Sequence, residues 1–227
     1  MMSLNADLIA IGFRLATIEK VGRASTDLDL ERTLVNCAIE IVEQNDARLF
    51  AVALSWLNVH ARYLHLDKFL KYIQSLPLDN SSKFVLKAFV VYGAELNLPN
   101  WKKAISKLRC DGHFAFRGRR AEDFDTSKFN ESYESFREVG FFINKNSVRI
   151  RPSDCLPPSL LAKKNKQYKN RVLFGANWRA DLFTLYDSGV PTAYAAAKIL
   201  GCSKETARKI FNDWDTYRQA FGYRIPV

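Results

Sequence analysis

Residues 192–214 read TAYAAAKILGCSKETARKIFNDW, and the rest of the chain is organised around them. Thr192 is placed to cap a short helix, Ala193–Leu200, because its side-chain oxygen can accept from a free N–H of the first turn. Gly201 follows as the residue that tolerates a left-handed backbone. Ser203 then caps a second helix, expected from Lys204 to about Ala220. Within it Ala207, Ile210, Phe211 and Trp214 fall at i, i+3, i+4 and i+7, the spacing of one buried stripe. Lys204, Arg208 and Asn212 fall at i, i+4 and i+8, on a different and polar face. Ala197, four residues before Gly201, offers a small side chain where two helices cross closely.

This stretch resembles a helix-turn-helix. The resemblance rests on Ala196 to Ser203, with its Leu-Gly turn and Ser cap, and then on Thr206 and the small apolar Ala207. With Asn177–Ser188 counted as a supporting first helix, it covers roughly the last quarter of the chain. It implies that the second helix lies in the DNA major groove with its first turns against base edges. The residues it nominates are Thr192, Ser203, Lys204, Glu205, Thr206, Arg208, Lys209 and Asn212. Arg208 can pair bidentately with guanine, and Lys204, nearest the helix start, suits a phosphate. Glu205 has two readings, an ion pair with Lys209 or a contact to cytosine. In winged-helix members of the family a hairpin follows the second helix; here only Gly222–Val227 remains, too short for two strands.

The charge balance points the same way. Net charge is +10, from 34 basic and 24 acidic residues. Residues 145–179 carry nine lysines and arginines against Asp154 alone, and among them Lys163, Lys164, Lys166 and Lys169 are expected to touch nucleic acid. Such a block beside a helix-turn-helix is the footprint expected of a polyanion partner, with a solvated lysine-rich linker as the plainer reading. The hydrophobic fraction of 48% is enough for a core. No run approaches the ~20 apolar residues of a membrane span. The N-terminal residues, interrupted by Asp7 and Arg14, do not read as a signal peptide. Four cysteines, at 37, 110, 155 and 202, have neither zinc nor redox spacing. Cys37 and Cys202 read as small buried hydrophobes, and a reduced, cytoplasmic protein is the simple expectation.

Taken from the start, apolar periodicity predicts helices over 3–21, 28–43 (capped by Asp27 or Thr26), 47–63, 66–76 and 101–108. Residues 81–92 fit helix or strand, and Ser81 and the lysines favour helix. Arg109–Ser127 has no periodicity and reads as a linker or ordered loop, and 128–139 as helix. Gly140–Pro152, GFFINKNSVRIRP, alternates on both sides of a polar turn and predicts a β-hairpin. Ser159–Leu173 predicts one basic helix.

Candidate catalytic residues are few. His60 and His65 are five apart, off the spacing that puts two ligands on one helical face. His113 follows Cys110 by three residues without matching a nucleophile motif, and neither a phosphate-binding glycine loop nor a dinucleotide fingerprint occurs. The acidic run Glu122, Asp123 and Asp125 lacks partners at helical spacing. Phe114 and Phe116, interleaved with Arg117, Arg119 and Arg120, fit either base stacking or anchoring of a loop onto a core.

The expectation is a mainly α protein: an N-terminal helical bundle (1–109), a connecting region with a small β-hairpin (110–158) and a C-terminal basic helix plus helix-turn-helix (159–227). The expected function is transcription regulation on double-stranded DNA, without enzyme activity, metal or cofactor. The bundle would serve dimerisation or a protein partner. The alternative is an antitoxin-like interaction module that represses its own operon, which predicts a large exposed apolar patch on the bundle.

Overall fold

The computed structural model describes residues 4–15, 28–116 and 132–222. The chain is mainly helical and divides into two compact units, 1–161 and 162–227. The described parts of the connecting region fold into the first unit, and the division falls at 161/162, close to the expected start of the C-terminal region at 159.

In the first unit α1 (Leu4–Ala10) is far shorter than the expected 3–21. Gly12 at φ 105° turns the chain, and Phe13 then forms an isolated antiparallel bridge with Cys155. The helices that follow are α2 (Leu30–Glu43), α3 (Ala47–His60), α4 (Leu66–Ser75), α5 (Asn80–Glu95) and α6 (Trp101–Ile105). Aspartates start three of them. Asp29, Asp46 and Asp79 accept from the backbone N–H groups of Arg32, Leu49 and Ser82 at 3.0, 2.9 and 2.6 Å. Asp29 therefore takes the cap expected of Thr26 or Asp27, which lie outside the described residues. Residues 81–92 are helical, as their lysines favoured, but the cap is Asp79 and the expected cap, Ser81, lies within the helix.

Helix α3 is buried on most sides because its apolar residues occupy nearly every position, and α2 and α5 pack against it. Gly93 in α5 makes room for α6: a Cβ there would stand 2.0 Å from Trp101 Cε3. A buried charge group also joins two helices. Lys68 of α4 pairs with Asp29 and lies 3.5 Å from Glu31 of α2, whose carboxylate accepts from the His65 backbone at 2.9 Å.

The core centres on Phe50. Its ring meets Phe89, Phe116, Phe136 and Phe141 at centroid distances of 5.4 to 6.3 Å. Three of these four come from the connecting region, which is why that region belongs to the first unit. The β-hairpin over Gly140–Pro152 is not formed. Instead β1 (Phe114–Ala115) pairs in parallel with β2 (Phe141–Phe142), Phe114 opposite Phe141. Lys145–Ser147 is a 3-10 turn capped by Asn144, and the Arg151 backbone N–H donates to Ser55 Oγ at 2.9 Å. Burying the phenylalanines against Phe50 outweighs the local alternation. Helix α7 is short, Glu134–Arg137, against an expected 128–139.

Helix α8 (Pro158–Lys164) spans the division at 161/162. The second unit continues as α9 (Lys166–Phe174), α10 (Trp178–Asp187), α11 (Ala193–Leu200) and α12 (Lys204–Phe221). The single basic helix expected over 159–173 is thus two, because Asn165 leaves helical backbone and caps α9 through Tyr168 N at 2.9 Å. Leu182, Ala196, Ala197, Leu200, Ala207, Ile210 and Phe211 form the core of α10, α11 and α12.

Candidate nucleic-acid interface

The turn between α11 and α12 is built from local capping. Thr192 Oγ1 accepts from Ala195 N at 3.1 Å, and Gly201 ends α11 at φ 66°, ψ 26°. Ser203 Oγ accepts from Thr206 N at 3.0 Å and lies 2.8 Å from Thr206 Oγ1. Three of the nominated side chains, Thr192, Ser203 and Thr206, therefore have oxygens engaged in holding the helix starts. Ala197 is buried where α11 meets α12, as its size suggested.

Helix α12 divides along its length and around its axis. Ala207, Ile210 and Phe211 are buried, whereas Lys204, Glu205, Arg208, Lys209 and Asn212 are exposed. Trp214, expected to be buried as the fourth member of the stripe, is half-buried; its ring lies 4.0 Å from Phe183 of α10 and 5.3 Å from Phe174 of α9. Further along the helix, the acids turn back onto α10. Asp213 pairs with Arg179 at 3.0 Å, and Asp215 accepts from the Tyr186 hydroxyl at 2.7 Å. This consumes the acids beyond the first turns and leaves the beginning of α12 basic. Glu205 and Lys209 make no ion pair among the described residues. Lys204 Nζ lies 4.7 Å above the centre of the Tyr194 ring, a cation–π contact between the starts of α12 and α11. Nothing in the spacing of the sequence marked that pair.

The basic block is less available than its count implied. Arg171 is buried on Asp181, its Nη2 within 2.8 and 3.1 Å of the two carboxylate oxygens and its Nε 3.0 Å from Oδ1. Lys166 pairs with Asp187 at 2.7 Å, and Arg179 is taken by Asp213. Lys163, Lys164 and Lys169 are exposed, with no ion pair among the described residues. The second unit as a whole holds twelve lysines and arginines against five aspartates and glutamates. Gly140–Pro152, expected to form a β-hairpin, lies in the first unit and has no hairpin.

The remaining reactive groups have structural surroundings. Phe116 is buried in the first core, which favours its reading as an anchor; Arg117, Arg119, Arg120, Glu122, Asp123 and Asp125 lie outside the described residues. Burial pushes the Cys37 thiol far up and that of Cys155 to about 12, so neither is a ready nucleophile. Cys202, read as buried, is half-buried. Burial beside Trp56 lowers His60 to about 4. No three histidine, cysteine or acidic side chains among the described residues gather as a metal site. Among the same residues no helix is long and apolar enough to cross a membrane.

Compared with models of protein families, with curated proteins and with solved structures, the chain shows no significant match.

Proposed function

We propose that the second unit is a helix-turn-helix that binds double-stranded DNA, with α12 as its recognition helix, and that the protein regulates transcription. The observation that carries this reading is the row Lys204, Arg208 and Asn212. All three are exposed on the first half of a helix whose opposite side, Ala207, Ile210 and Phe211, is fixed to α10 and α11. A helix held by one face and basic at its start can enter the major groove, which admits one α-helix. Arg208 supplies a planar fork suited to guanine, and Lys204 a point charge suited to phosphate. Lys163, Lys164 and Lys169 add unpaired charge to the same unit.

In this proposal the first unit joins copies of the chain or holds a protein partner. Among the described residues its one large exposed hydrophobic is Leu160; the other six, Val172, Leu173, Tyr194, Ile199, Tyr217 and Phe221, lie on the second unit. That distribution favours the regulator over the antitoxin-like reading, which places its apolar contact surface on the first unit.

The experiment is selection of a preferred site from random duplex DNA with the full chain, followed by titration of that site and of random duplex. Arg208→Ala is expected to narrow the gap between them by roughly tenfold, the worth of one bidentate base contact. Failure to enrich any site, or an unchanged gap in Arg208→Ala, contradicts the assignment.

A further inference from the structure

A groove of about 400 Å³ opens in the second unit among α9, α10 and α12. Its walls are aromatic. Phe183 is tilted against Trp214, 30° between planes and 4.0 Å between centroids. Phe174 stands edge-on to both at 5.3 Å, and Tyr217 edge-on to Trp214 at 5.8 Å. Its charged lining is mostly positive. Lys166 is bound to Asp187, Arg218 sits against the Tyr186 hydroxyl, and Lys169 has no carboxylate partner among the described residues.

The geometry points to a binding site for a small planar acid, an aromatic carboxylate of one or two rings. The volume is that of a small-ligand site, and such sites combine apolar walls with a few placed polar groups. Flat aromatic walls favour a flat ligand, because offset and edge-on ring contacts add to simple burial. The one acid in the lining, Asp187, already holds Lys166, so the site repels a cation and leaves Lys169 and Arg218 for a carboxylate. Trp214, Tyr217 and Arg218 are the continuation of the helix that carries Lys204, Arg208 and Asn212. A ligand seated there acts on the orientation of α12, and any change it makes in DNA affinity is matched by an equal change in its own. That coupling rests on the DNA-binding reading; the ligand site itself does not.

The test uses 1-naphthoate and the full chain, following the indole N–H resonances of the four tryptophans, with Trp214→Phe to identify one of them. The Trp214 resonance is expected to shift saturably with a Kd of about 1 mM, the affinity appropriate to a ligand of this size. Lys169→Ala and the neutral analogue 1-naphthylmethanol should each weaken binding about tenfold, the worth of one charge-assisted hydrogen bond. No saturable shift, or equal binding of acid and alcohol, overturns the site. Naphthoate binding with unchanged DNA affinity overturns the coupling alone. Naphthoate binding by a chain with no affinity for any duplex overturns the DNA-binding reading and leaves the site standing.

Discussion

Arg171 and Asp181 meet inside the second unit with both side chains at 0% exposure, and they join α9 to the scaffold helix α10 through three hydrogen bonds of 2.8 to 3.1 Å. Gln167 adds a fourth, Nε2 to Asp181 Oδ1 at 3.1 Å. Removing one member leaves the other charge buried without the charge it is paired with here. Arg171→Met or Asp181→Asn should therefore destabilise the unit by about 3–5 kcal/mol, whereas the double replacement Arg171→Met with Asp181→Leu should recover most of that loss. Chemical denaturation of the full chain, read by signals from the second unit, checks this. A single replacement costing under about 1 kcal/mol would show that the pair is solvated.

Trp214 separates packing from hydrogen bonding. Its ring rests on Phe183 and Phe174, while its indole N–H is buried without an acceptor among the described residues. Trp214→Phe keeps an aromatic body and removes an unsatisfied donor, so stability should change by less than about 1 kcal/mol. Trp214→Ala should cost about 2–3 kcal/mol, less than the 3–5 of a fully enclosed aromatic because the ring is half-buried. Thermal melts of the two variants decide it; equal losses would mean that the N–H has a partner.

His60 makes the first unit sensitive to acid. Burial holds its folded-state pKa near 4, below the ordinary 6.5, against a smaller opposing effect of the Leu156 backbone. The unfolded chain therefore takes up this proton first. Stability from the neutral imidazole is fully present above about pH 6.5 and is lost as pH falls toward 4. In His60→Gln, which does not titrate, unfolding free energy should fall less over that window than in the wild type. Parallel pH profiles of the two proteins would show that His60 is protonated in the folded state.

The second unit was the more legible part of the sequence. Thr192, Gly201 and Ser203 act within four residues of themselves, so capping rules locate both helices and the turn. Asn165 acts as locally as those caps, but lysines on both sides hid it within an apparently continuous basic helix. The hairpin expected over Gly140–Pro152, which contains Phe141, was misread for a different reason. Phe141 packs on Phe50, ninety-one residues away in sequence, and pairs through β2 with β1, so burial at long range rather than local alternation sets the parallel pairing. Charge counting erred similarly. Arg171, Lys166 and Arg179 entered the basic block on equal terms with Lys163, and nothing in their order reveals that Asp181, Asp187 and Asp213 hold them. The candidate interface was legible where it follows helical spacing, at 204, 208 and 212, and not where it crosses helices, at Tyr194 and Lys204.

The central claim is that the start of α12 meets a DNA backbone and its bases, and the salt dependence of duplex binding tests it most directly. Binding of the full chain should weaken linearly on a log–log plot as salt rises, because each neutralised phosphate releases counterions. Lys204→Ala should weaken selected and random duplex alike and reduce that slope by about one. A wild-type chain that binds no duplex, or binds with a slope that Lys204→Ala leaves unchanged, would contradict the account.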